Sequence, residues 1–322
     1  MTVDPKLQAT YRNQAAMLAN RVKKRFKHLH KRFARQNIEV FRLYDWDIPE
    51  IRAAVDWYAG HLVIAEYTRR QSTADWLPMM GHAVADILGV PPEKVHLKER
   101  RAGIKDGKRY ERIANTNQRL IMSERDLKFY VNPCDYIDTG LFADHRNTRQ
   151  MVRELASGKD FLNLYCYTGS FSCYAAAGGA RTTVSVDRSE SILSWARENM
   201  NLNGIPEAEN ILIQAHTFDF LETAQNENRR FDLAVVDPPS YSTTRDNELH
   251  FDILKDHPAL LKAVIEVMRP GATIFFSTNH QSFEPRLDNL AADDVTEITQ
   301  MTIPEDYVSK RKTIHRCWKL NV

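Results

Sequence analysis

The sequence predicts an α/β fold built on a mostly parallel sheet, preceded by a small α+β module and a basic N-terminal helix. From about residue 136 onward, strand-like apolar runs alternate with helical stretches, which is typical of parallel strands joined by crossover helices. Upstream, strand-like runs dominate, and residues 21–35 hold eight Lys or Arg and no acid. A chain of 322 residues is long enough for two domains. We therefore predict a basic helix at 1–37, a small accessory α+β domain at 38–135 and the main domain at 136–322.

Composition indicates a globular protein with free thiols. Hydrophobic residues make up 43% of the chain, and no apolar run approaches the roughly 20 residues that span a bilayer. The N-terminus has no apolar stretch of the secretory kind. The four cysteines form no CxxC pair and have no zinc-type spacing. We therefore expect a cytoplasmic protein without a metal site or a membrane partner.

The basic stretch at residues 21–35 is predicted to be an amphipathic helix. Val22, Phe26, Leu29 and Phe33 recur at steps of three and four, which gives a narrow apolar stripe and a basic outer face. A merely solvated face and a membrane-surface helix are the alternatives. The narrow stripe favours packing on the protein, and the charge favours nucleic acid. The expected phosphate contacts are Lys23, Lys24, Arg25, Lys27, Lys31 and Arg32.

The accessory module is expected to be rich in strands. EVFRLYD (39–45) alternates in polarity, and residues 53–68 form a strand pair that turns at Ala59-Gly60. A helix is predicted at 73–89. Two further hairpins are predicted, in GIKDGKRYERI with its Asp106-Gly107 turn and in RLIMSERDLKFYVN.

The main domain is expected to hold five parallel strands and an antiparallel pair. The parallel strands are predicted in FLNLYC (161–166), TTVSVD (182–187), NILIQA (210–215), FDLAVVD (231–237) and ATIFFST (272–278). The helices are predicted near 145–156, 170–178, 189–201, 217–224 and 254–268. DVTEITQMTI and TIHRCWKL follow without a long helix between them, so they can pair antiparallel at the end of a seven-stranded sheet.

Two strand ends predict a cofactor that contains a nucleoside. Open parallel sheets bind ligands beyond the carboxyl ends of their strands. In NLYCYTGSFS, Gly169 opens a helix directly after a strand, which suits a negatively charged group. Asp187 ends the next strand about 20 residues after this first loop, which is the spacing at which an acid meets the hydroxyl groups of a ribose. An ordinary turn and a helix cap, with Ser189 as a second cap candidate, are the structural alternatives. NAD and S-adenosylmethionine both fit these two ends.

A third strand end, VVDPPSY (235–241), favours methyl transfer over hydride transfer. Pro238 and Pro239 have no backbone N–H and fixed φ angles, so the chain must form a stiff corner after Asp237. Methyl transfer needs a planar acceptor held in line with the methyl group, and a rigid wall with free carbonyls supplies that positioning.

Several stretches resemble a known bacterial family. They are YIDTGLFADHR (136–146), DFLNLYCYTGSFSCYAAAGGA (160–180), SVDRS, ENMNLNG (198–204), FDLAVVDPPSYS and FSTNHQSF. They resemble the 23S ribosomal RNA guanine-N7 methyltransferases, class I enzymes dependent on S-adenosylmethionine, which in some bacteria form the C-terminal half of a fused bifunctional protein. The basic helix and FRLYDWDIPE extend the likeness to nearly the whole chain. The predicted seven strands also match the class I sheet better than a plain dinucleotide-binding fold.

The resemblance implies S-adenosylmethionine as cofactor and assigns roles by position. Asp144, His145 and Arg146 would close over the cofactor, with Arg146 meeting its methionine carboxylate. The remaining cofactor contacts implied are Tyr167, Thr168 and Gly169 in the first loop, Asp187 at the ribose, Asn203 at the pocket border, and Asp237. His216 stands where relatives place an acid that binds the adenine amine, and either His216 or Asp219 can serve. The acceptor corner implied is Asp237, Pro238, Pro239 and Ser240.

The resemblance implies guanine N7 in 23S rRNA as the acceptor, and the residues indicate transfer without a covalent intermediate. A 5-methylcytosine mechanism needs a cysteine thiolate, but Thr278 stands where that cysteine is expected, and Cys166 and Cys173 lie on the cofactor side. N7 has an exposed lone pair and no proton. An exocyclic amine, such as guanine N2, is the alternative acceptor. A non-catalytic RNA-binding assembly factor is the non-enzymatic alternative, and it predicts no cofactor binding.

The expected partner is ribosomal RNA that is protein-free or in an early assembly intermediate. Double-stranded RNA hides N7 in a narrow groove, so the target must be opened or single-stranded, and Tyr241 or Phe283 can stack on the extruded base. The chain lacks the half that methylates guanine N2 in fused relatives, so a separate subunit with that activity is a second candidate partner.

Overall fold

The computed structural model describes residues 5–68, 73–101, 112–242 and 251–322. The turn predicted at Asp106-Gly107 lies outside these residues. None of the described helices is long and apolar enough to cross a membrane.

The basic stretch is part of a 31-residue helix, α1 (Pro5–Arg35). Its buried side chains recur at steps of three and four from Tyr11 to Phe33, and they pack on helix α2 (Trp76–Leu88) and on a four-stranded sheet. The predicted amphipathic helix is thus confirmed, and its apolar stripe is covered by the protein itself.

The accessory sheet has the order β1-β2-β3-β4, with β1 (Val40–Asp45), β2 (Ala53–Tyr58), β3 (His61–Thr68) and β4 (Val95–Arg101). The predicted β2–β3 hairpin is confirmed, because Ala59 and Gly60 both have positive φ (44° and 96°), as a tight hairpin turn requires. Strand β4 runs parallel to β3 after α2. The hairpin predicted in RLIMSERDLKFYVN is confirmed, and it consists of β5 (Leu120–Glu124) and β6 (Leu127–Val131).

The main sheet has seven strands, as predicted. The parallel strands are β7 (Asp160–Leu164), β8 (Thr182–Asp187), β9 (Asn210–Gln214), β10 (Phe231–Val236) and β13 (Met268–Thr278), and the short strands β11 (Tyr241–Ser242) and β12 (Phe251–Asp252) pair separately. The helices are α3 (Arg146–Leu155), α4 (Ser170–Ala177), α5 (Glu190–Leu202), α6 (Thr217–Asn226) and α7 (Ile253–Ile265). With β14 (Asp294–Glu297) and β15 (Arg316–Asn321) antiparallel, the order is β14-β15-β13-β10-β7-β8-β9.

One predicted strand was wrong over part of its length. The second half of DVTEITQMTI forms a short helix, α8 (Thr299–Thr302), instead of continuing β14. The Thr302 hydroxyl donates to the carbonyl of Thr299, and the Thr299 hydroxyl accepts from the N–H of Cys317, so side chains satisfy backbone groups where the strand ends.

The accessory sheet packs directly against the main domain. Val40 and Tyr58 share an apolar cluster with hairpin β5–β6 and with Tyr174 of α4. The hydroxyl groups of Tyr58 and Thr139 are 2.8 Å apart. These contacts fix the segment that leads from the hairpin to α3, and this segment borders the site described next.

Candidate active site

A cavity opens at the edge of the main sheet where the parallel strands end, which is the edge at which such sheets bind ligands. Its walls come from the segment before α3, from the loops after β7 to β10, and from the end of β13. The lining residues are Asp138, Phe142, Asp144, His145, Arg149, Tyr165, Cys166, Tyr167, Ser170, Phe171, Asp187, Arg188, Ala215, His216, Thr217, Asp237, Pro238, Pro239, Phe251 and Asn279. The predicted residues that it brings together are Asp144, His145, Tyr167, Asp187, His216, Asp237, Pro238 and Pro239.

The loop after β7 turns sharply and presents Tyr167 to the cavity. Tyr167 and Gly169 have positive φ (48° and 75°), and a Cβ on Gly169 would lie 3.0 Å from the Cβ of Ala196. Both the backbone conformation and the close approach of Ala196 therefore favour glycine at position 169. Thr168 does not line the cavity, because its hydroxyl points inward and donates to the carbonyl of Gly140 at 2.6 Å.

Asp187 ends β8 at the cavity wall. Its carboxylate accepts hydrogen bonds from the N–H of Tyr167 at 3.2 Å and of Ser189 at 3.0 Å, so it ties the first loop to the second. The Ser189 hydroxyl makes no capping bond to α5. Burial raises the pKa of Asp187. Its carboxylate has remaining lone pairs that can accept hydrogen bonds from the hydroxyl groups of a ligand.

At the end of β9 the geometry favours His216 over Asp219 as a ligand contact. His216 lines the cavity immediately before α6, and its buried Nδ1 has no hydrogen-bond partner among the described residues. A buried polar atom without a partner is costly unless a ligand satisfies it. Asp219 lies in the first turn of α6, outside the cavity wall.

Arg146 does not occupy the position that the sequence predicted for it. Its side chain is 2% exposed, pairs with Asp306 at 3.1 Å and donates to the carbonyl of Val40 at 2.8 Å, away from the cavity. Arg149 lines the cavity instead, with its guanidinium held by both carboxylate oxygens of Glu124 at 2.8 Å. Residues four apart lie on the same face of a helix, so Arg149 shares the cavity-facing side with His145. Arg146, one residue after His145, is turned by 100° away from that side.

Asn203 also lies outside the cavity wall. Its side-chain amide pairs with both backbone groups of Lys128, at 2.8 and 2.7 Å, and so attaches the end of α5 to hairpin β5–β6. Asn199, one turn earlier, donates to the carbonyl of Thr168 at 2.9 Å and accepts from the N–H of Tyr130. The motif ENMNLNG therefore supports the first loop through Asn199, which the sequence reasoning missed although both asparagines share one helix face.

Two stacked histidines connect the cofactor side to the proline corner. The rings of His145 and His315 are 4.2 Å apart, and His315 Nδ1 lies 3.2 Å from Asp144. His145 Nε2 lies 3.7 Å from the Asp237 carboxylate. Burial, followed by repulsion from His315, lowers the pKa of His145, whereas the two histidines hold that of Asp144 below its usual range despite burial. Among the described residues, Asp144, His145 and His315 form the one group with metal-ligand spacing. The ring stack and the hydrogen bond are enough to explain why these side chains lie together without an ion.

The proline corner is held by the neighbouring strand. The Ser277 hydroxyl donates to the Asp237 carboxylate at 2.6 Å, and the Ser240 hydroxyl donates to the side-chain oxygen of Asn279. Pro238 and Pro239 form the adjoining wall. Ser277 and Asn279 lie in the stretch FSTNHQSF, but no site role was predicted for them, because their contribution depends on the pairing of β10 with β13.

The aromatic residue best placed to meet a base is Phe142. Phe283 is 4% exposed and packs in the core against Phe276 and Trp318, so its predicted stacking on an extruded base is wrong. Tyr241 begins β11, and its side chain is outside the described part of the structure. Phe142 lines the cavity, is 38% exposed, and has its ring 5.0 Å from that of Tyr167.

No described cysteine is placed as an acceptor-side nucleophile. Cys166 lines the cavity beside the first loop, and Cys173 and Cys317 are fully buried. Burial raises the pKa of all three thiols, that of Cys173 to about 12, which disfavours the thiolate. Thr278 ends β13 as a buried hydroxyl, where a covalent enzyme would need its cysteine.

The basic face of α1 divides into paired arginines and free lysines. Arg25 donates to the carbonyl of Glu305 at 2.9 Å, and Arg32 pairs with the Glu305 carboxylate. Lys23, Lys24, Lys27 and Lys31 are exposed, and within the described parts of the chain no contact is recorded for them. The predicted RNA contacts therefore separate into two arginines that brace the C-terminal segment and four lysines available to phosphates.

Two comparisons match most of this chain to known proteins. The family model for S-adenosylmethionine-dependent methyltransferases matches residues 115–305. A protein of Neisseria meningitidis serogroup B, named ribosomal RNA large subunit methyltransferase K, is 41% identical over 311 residues, which cover 94% of this chain and 86% of that protein.

Solved structures show the same fold at low identity. SMU.776, a methyltransferase complexed with SAH, superposes with a TM-score of 0.77 at 20% identity, over 97% of this chain and 82% of that one. A methyltransferase from Agrobacterium tumefaciens gives a TM-score of 0.59 at 15% identity, over 84% of this chain and 87% of that one. The predicted fold class, a seven-stranded Rossmann-like methyltransferase sheet with an additional N-terminal domain, is confirmed.

Proposed function

Because this chain belongs to the S-adenosylmethionine-dependent methyltransferases, we propose that it methylates a guanine at N7 in 23S ribosomal RNA without a covalent intermediate. The name of the Neisseria relative supports ribosomal RNA of the large subunit as the substrate class. The observation that carries the choice of acceptor is the acceptor end of the cavity, where Thr278 stands in place of a cysteine and Asp237 is fixed by Ser277. Such a corner can orient a base that already has a free lone pair.

The cavity fits the cofactor in several respects. Asp187 would accept hydrogen bonds from the ribose hydroxyl groups, and the unpartnered Nδ1 of His216 would accept one from the adenine amine. The N-terminus of α4, with Ser170 at the wall, suits the methionine carboxylate, whereas the charge of Arg149 at the wall is already balanced by Glu124. When bound, S-adenosylmethionine would supply an electrophilic methyl group, and the N7 lone pair could accept it without a base because N7 carries no proton.

The acceptor base would be held between a rigid wall and an exposed ring. Pro238 and Pro239 form the wall, Asp237 fixes its edge, and Phe142 offers a face on which a flat base can stack. The base must leave a helix to reach this position, since double-stranded RNA hides N7 in its narrow major groove. Protein-free rRNA or an early assembly intermediate fits this requirement, and the free lysines of α1 would hold its phosphates.

The test is methylation of protein-free 23S rRNA in vitro, followed by mass spectrometry of its nucleosides. We expect 7-methylguanosine at one position, located by borohydride and aniline cleavage, and none in 16S rRNA as the matched control. N2-methylguanosine would replace the proposed acceptor with an exocyclic amine, and 5-methylcytidine would indicate a covalent route. A folded protein that neither methylates RNA nor binds S-adenosylmethionine by calorimetry would be a non-catalytic assembly factor.

A further inference from the structure

Asn279 is an exposed side chain at the acceptor end of the cavity; it lies in the stretch FSTNHQSF, but the sequence alone assigns it no role. Strands β10 and β13 are parallel neighbours with Val236 opposite Phe276, which places Asp237 beside Ser277. Asn279 follows two residues later, where β13 has ended and the chain borders the mouth of the cavity. It therefore stands beside the proline corner, on the side from which an acceptor base would enter.

The amide of Asn279 is oriented by one contact. The Ser240 hydroxyl donates to its side-chain oxygen, so this oxygen is already engaged. Nothing in the described ranges 112–242 and 251–322 is recorded as accepting a hydrogen bond from its Nδ2. Asn279 thus offers donors to the cavity, since an amide nitrogen carries two hydrogens and no lone pair for hydrogen bonding.

We propose that Asn279 donates a hydrogen bond to O6 of the target guanine and thereby selects guanine over adenine, an inference that rests on the proposed N7 methylation. The N7 edge of guanine presents two acceptors, N7 and O6. A donor on O6 holds this edge in register and leaves the N7 lone pair free to attack the methyl group. Adenine presents an amino group in place of O6, so a donor would face a donor. Ser240 acts as a positioning residue, because it fixes which end of the amide faces the base.

The test is a double-mutant cycle, in which one change is made in the protein and the other in the target base. The substrate is a synthetic RNA hairpin that carries the mapped target as guanine, as inosine, which keeps O6 but lacks the N2 amine, or as 2-aminopurine, which lacks O6. Wild-type protein should methylate guanine and inosine with similar kcat/KM, and 2-aminopurine roughly tenfold less well, the loss of one hydrogen bond. Asn279→Ala should lose roughly tenfold on guanine and almost nothing further on 2-aminopurine.

Two further variants sharpen the assignment. Asn279→Asp keeps an oxygen for Ser240 but offers no donor, so it should lose more on guanine than Asn279→Ala does. Ser240→Ala lets the amide turn, so the preference for guanine over adenine at the target should narrow while cofactor affinity stays unchanged. Asn226→Ala removes an exposed amide at the end of α6, outside the cavity wall, and should match wild type on every substrate.

Some results would contradict the role of Asn279 without contradicting the proposed function. If Asn279→Ala lowers kcat/KM equally on guanine and 2-aminopurine, or not at all, Asn279 does not contact O6. Calorimetric titration with S-adenosylhomocysteine confirms that each variant is folded, and 2-aminopurine fluorescence reports whether the base still leaves the helix. If wild-type product is not 7-methylguanosine, the proposed function fails first, whereas 7-methylguanosine with no coupling in the cycle overturns the Asn279 assignment alone.

Discussion

The cofactor end and the acceptor end of the cavity are built in different ways. At the cofactor end, Asp187 ends β8 and Tyr167 lies in the loop after β7, and backbone N–H groups fix the carboxylate. At the acceptor end, Asp237 is held by the side chain of a distant strand, Ser277 at 2.6 Å, and His145 from the segment before α3 lies 3.7 Å away. The first end depends on local backbone and the second on side chains that the fold brings together. Substitutions should therefore separate cofactor binding from methyl transfer.

The largest expected effect is at the acceptor end. Asp237→Ala removes the acceptor of the Ser277 hydrogen bond and the carboxylate that lies near His145. The proline corner should then shift relative to the cofactor, which should lower kcat by about 100-fold. The Kd of S-adenosylmethionine, measured by calorimetry, should change much less. Asp219→Ala, which removes a carboxylate outside the cavity wall, is the matched control and should change neither. A large loss of cofactor affinity with normal kcat would move Asp237 to the cofactor end.

The complementary substitution is at the cofactor end. Asp187→Ala should weaken S-adenosylmethionine binding by about 1–3 kcal/mol, the loss expected for hydrogen bonds to a charged group. At saturating cofactor and RNA, kcat should stay within a fewfold of wild type. An unchanged Kd would remove Asp187 from the site.

The pH dependence of binding provides a second measurement on the same residue. Burial raises the pKa of Asp187, and the form that accepts two hydroxyl hydrogen bonds is the carboxylate. Cofactor affinity should therefore begin to fall on acidification at a higher pH than an exposed aspartate would cause. Asp187→Asn should bind weakly at neutral pH and lose this dependence. Parallel pH profiles for wild type and Asp187→Asn would assign the titration to another group.

The sequence predicted the strand ends better than the side chains that reach between them. Gly169, Asp187 and Asp237 were found because each follows a recognisable apolar strand, and strand ends of a parallel sheet meet at one edge. Arg146 was misplaced because the motif cannot say which turn of α3 faces the cavity. Asn279 was missed because its role depends on the pairing of β10 with β13.

The fold itself shows the same division. All five parallel strands were predicted from their apolar runs, but β4 was not, since VHLKERR reads as polar. Strand β4 lies at the edge of the accessory sheet, where one side of it has no partner among the described strands and polar residues are tolerated. Apolar sequence patterns indicate buried strands and helices, so they do not predict a strand that is half exposed, such as β4.

A smaller effect is expected at the substrate side beyond the cavity. Lys23, Lys27 and Lys31 share one face of α1 and are exposed, so changing all three to Glu should weaken RNA binding and flatten its salt dependence. Each lost phosphate contact on single-stranded RNA should reduce the slope of log K against log salt by about 0.7. Cofactor Kd and thermal stability should stay close to wild type, because the buried stripe with Phe33 is untouched. The control is the triple change of Lys159, Lys255 and Lys262 to Glu, outside α1. Equal salt slopes for the two triple variants would make α1 a merely solvated face.

The smallest expected effect is the loss of every thiol. If the acceptor end works by orientation alone, replacing Cys134, Cys166, Cys173 and Cys317 with Ala should leave kcat within about threefold of wild type, since no step needs a nucleophilic cysteine. Thermal stability should fall, because the last three are buried and each loses packing contacts. Activity is therefore compared per folded, cofactor-binding molecule, counted by calorimetry, with Cys134→Ala as the control for a half-buried thiol outside the cavity wall. Loss of turnover in a quadruple variant that still binds S-adenosylmethionine would show that a thiolate takes part. The acceptor would then be a pyrimidine carbon, and the difference between the two ends of the cavity would need a chemical explanation as well as a geometric one.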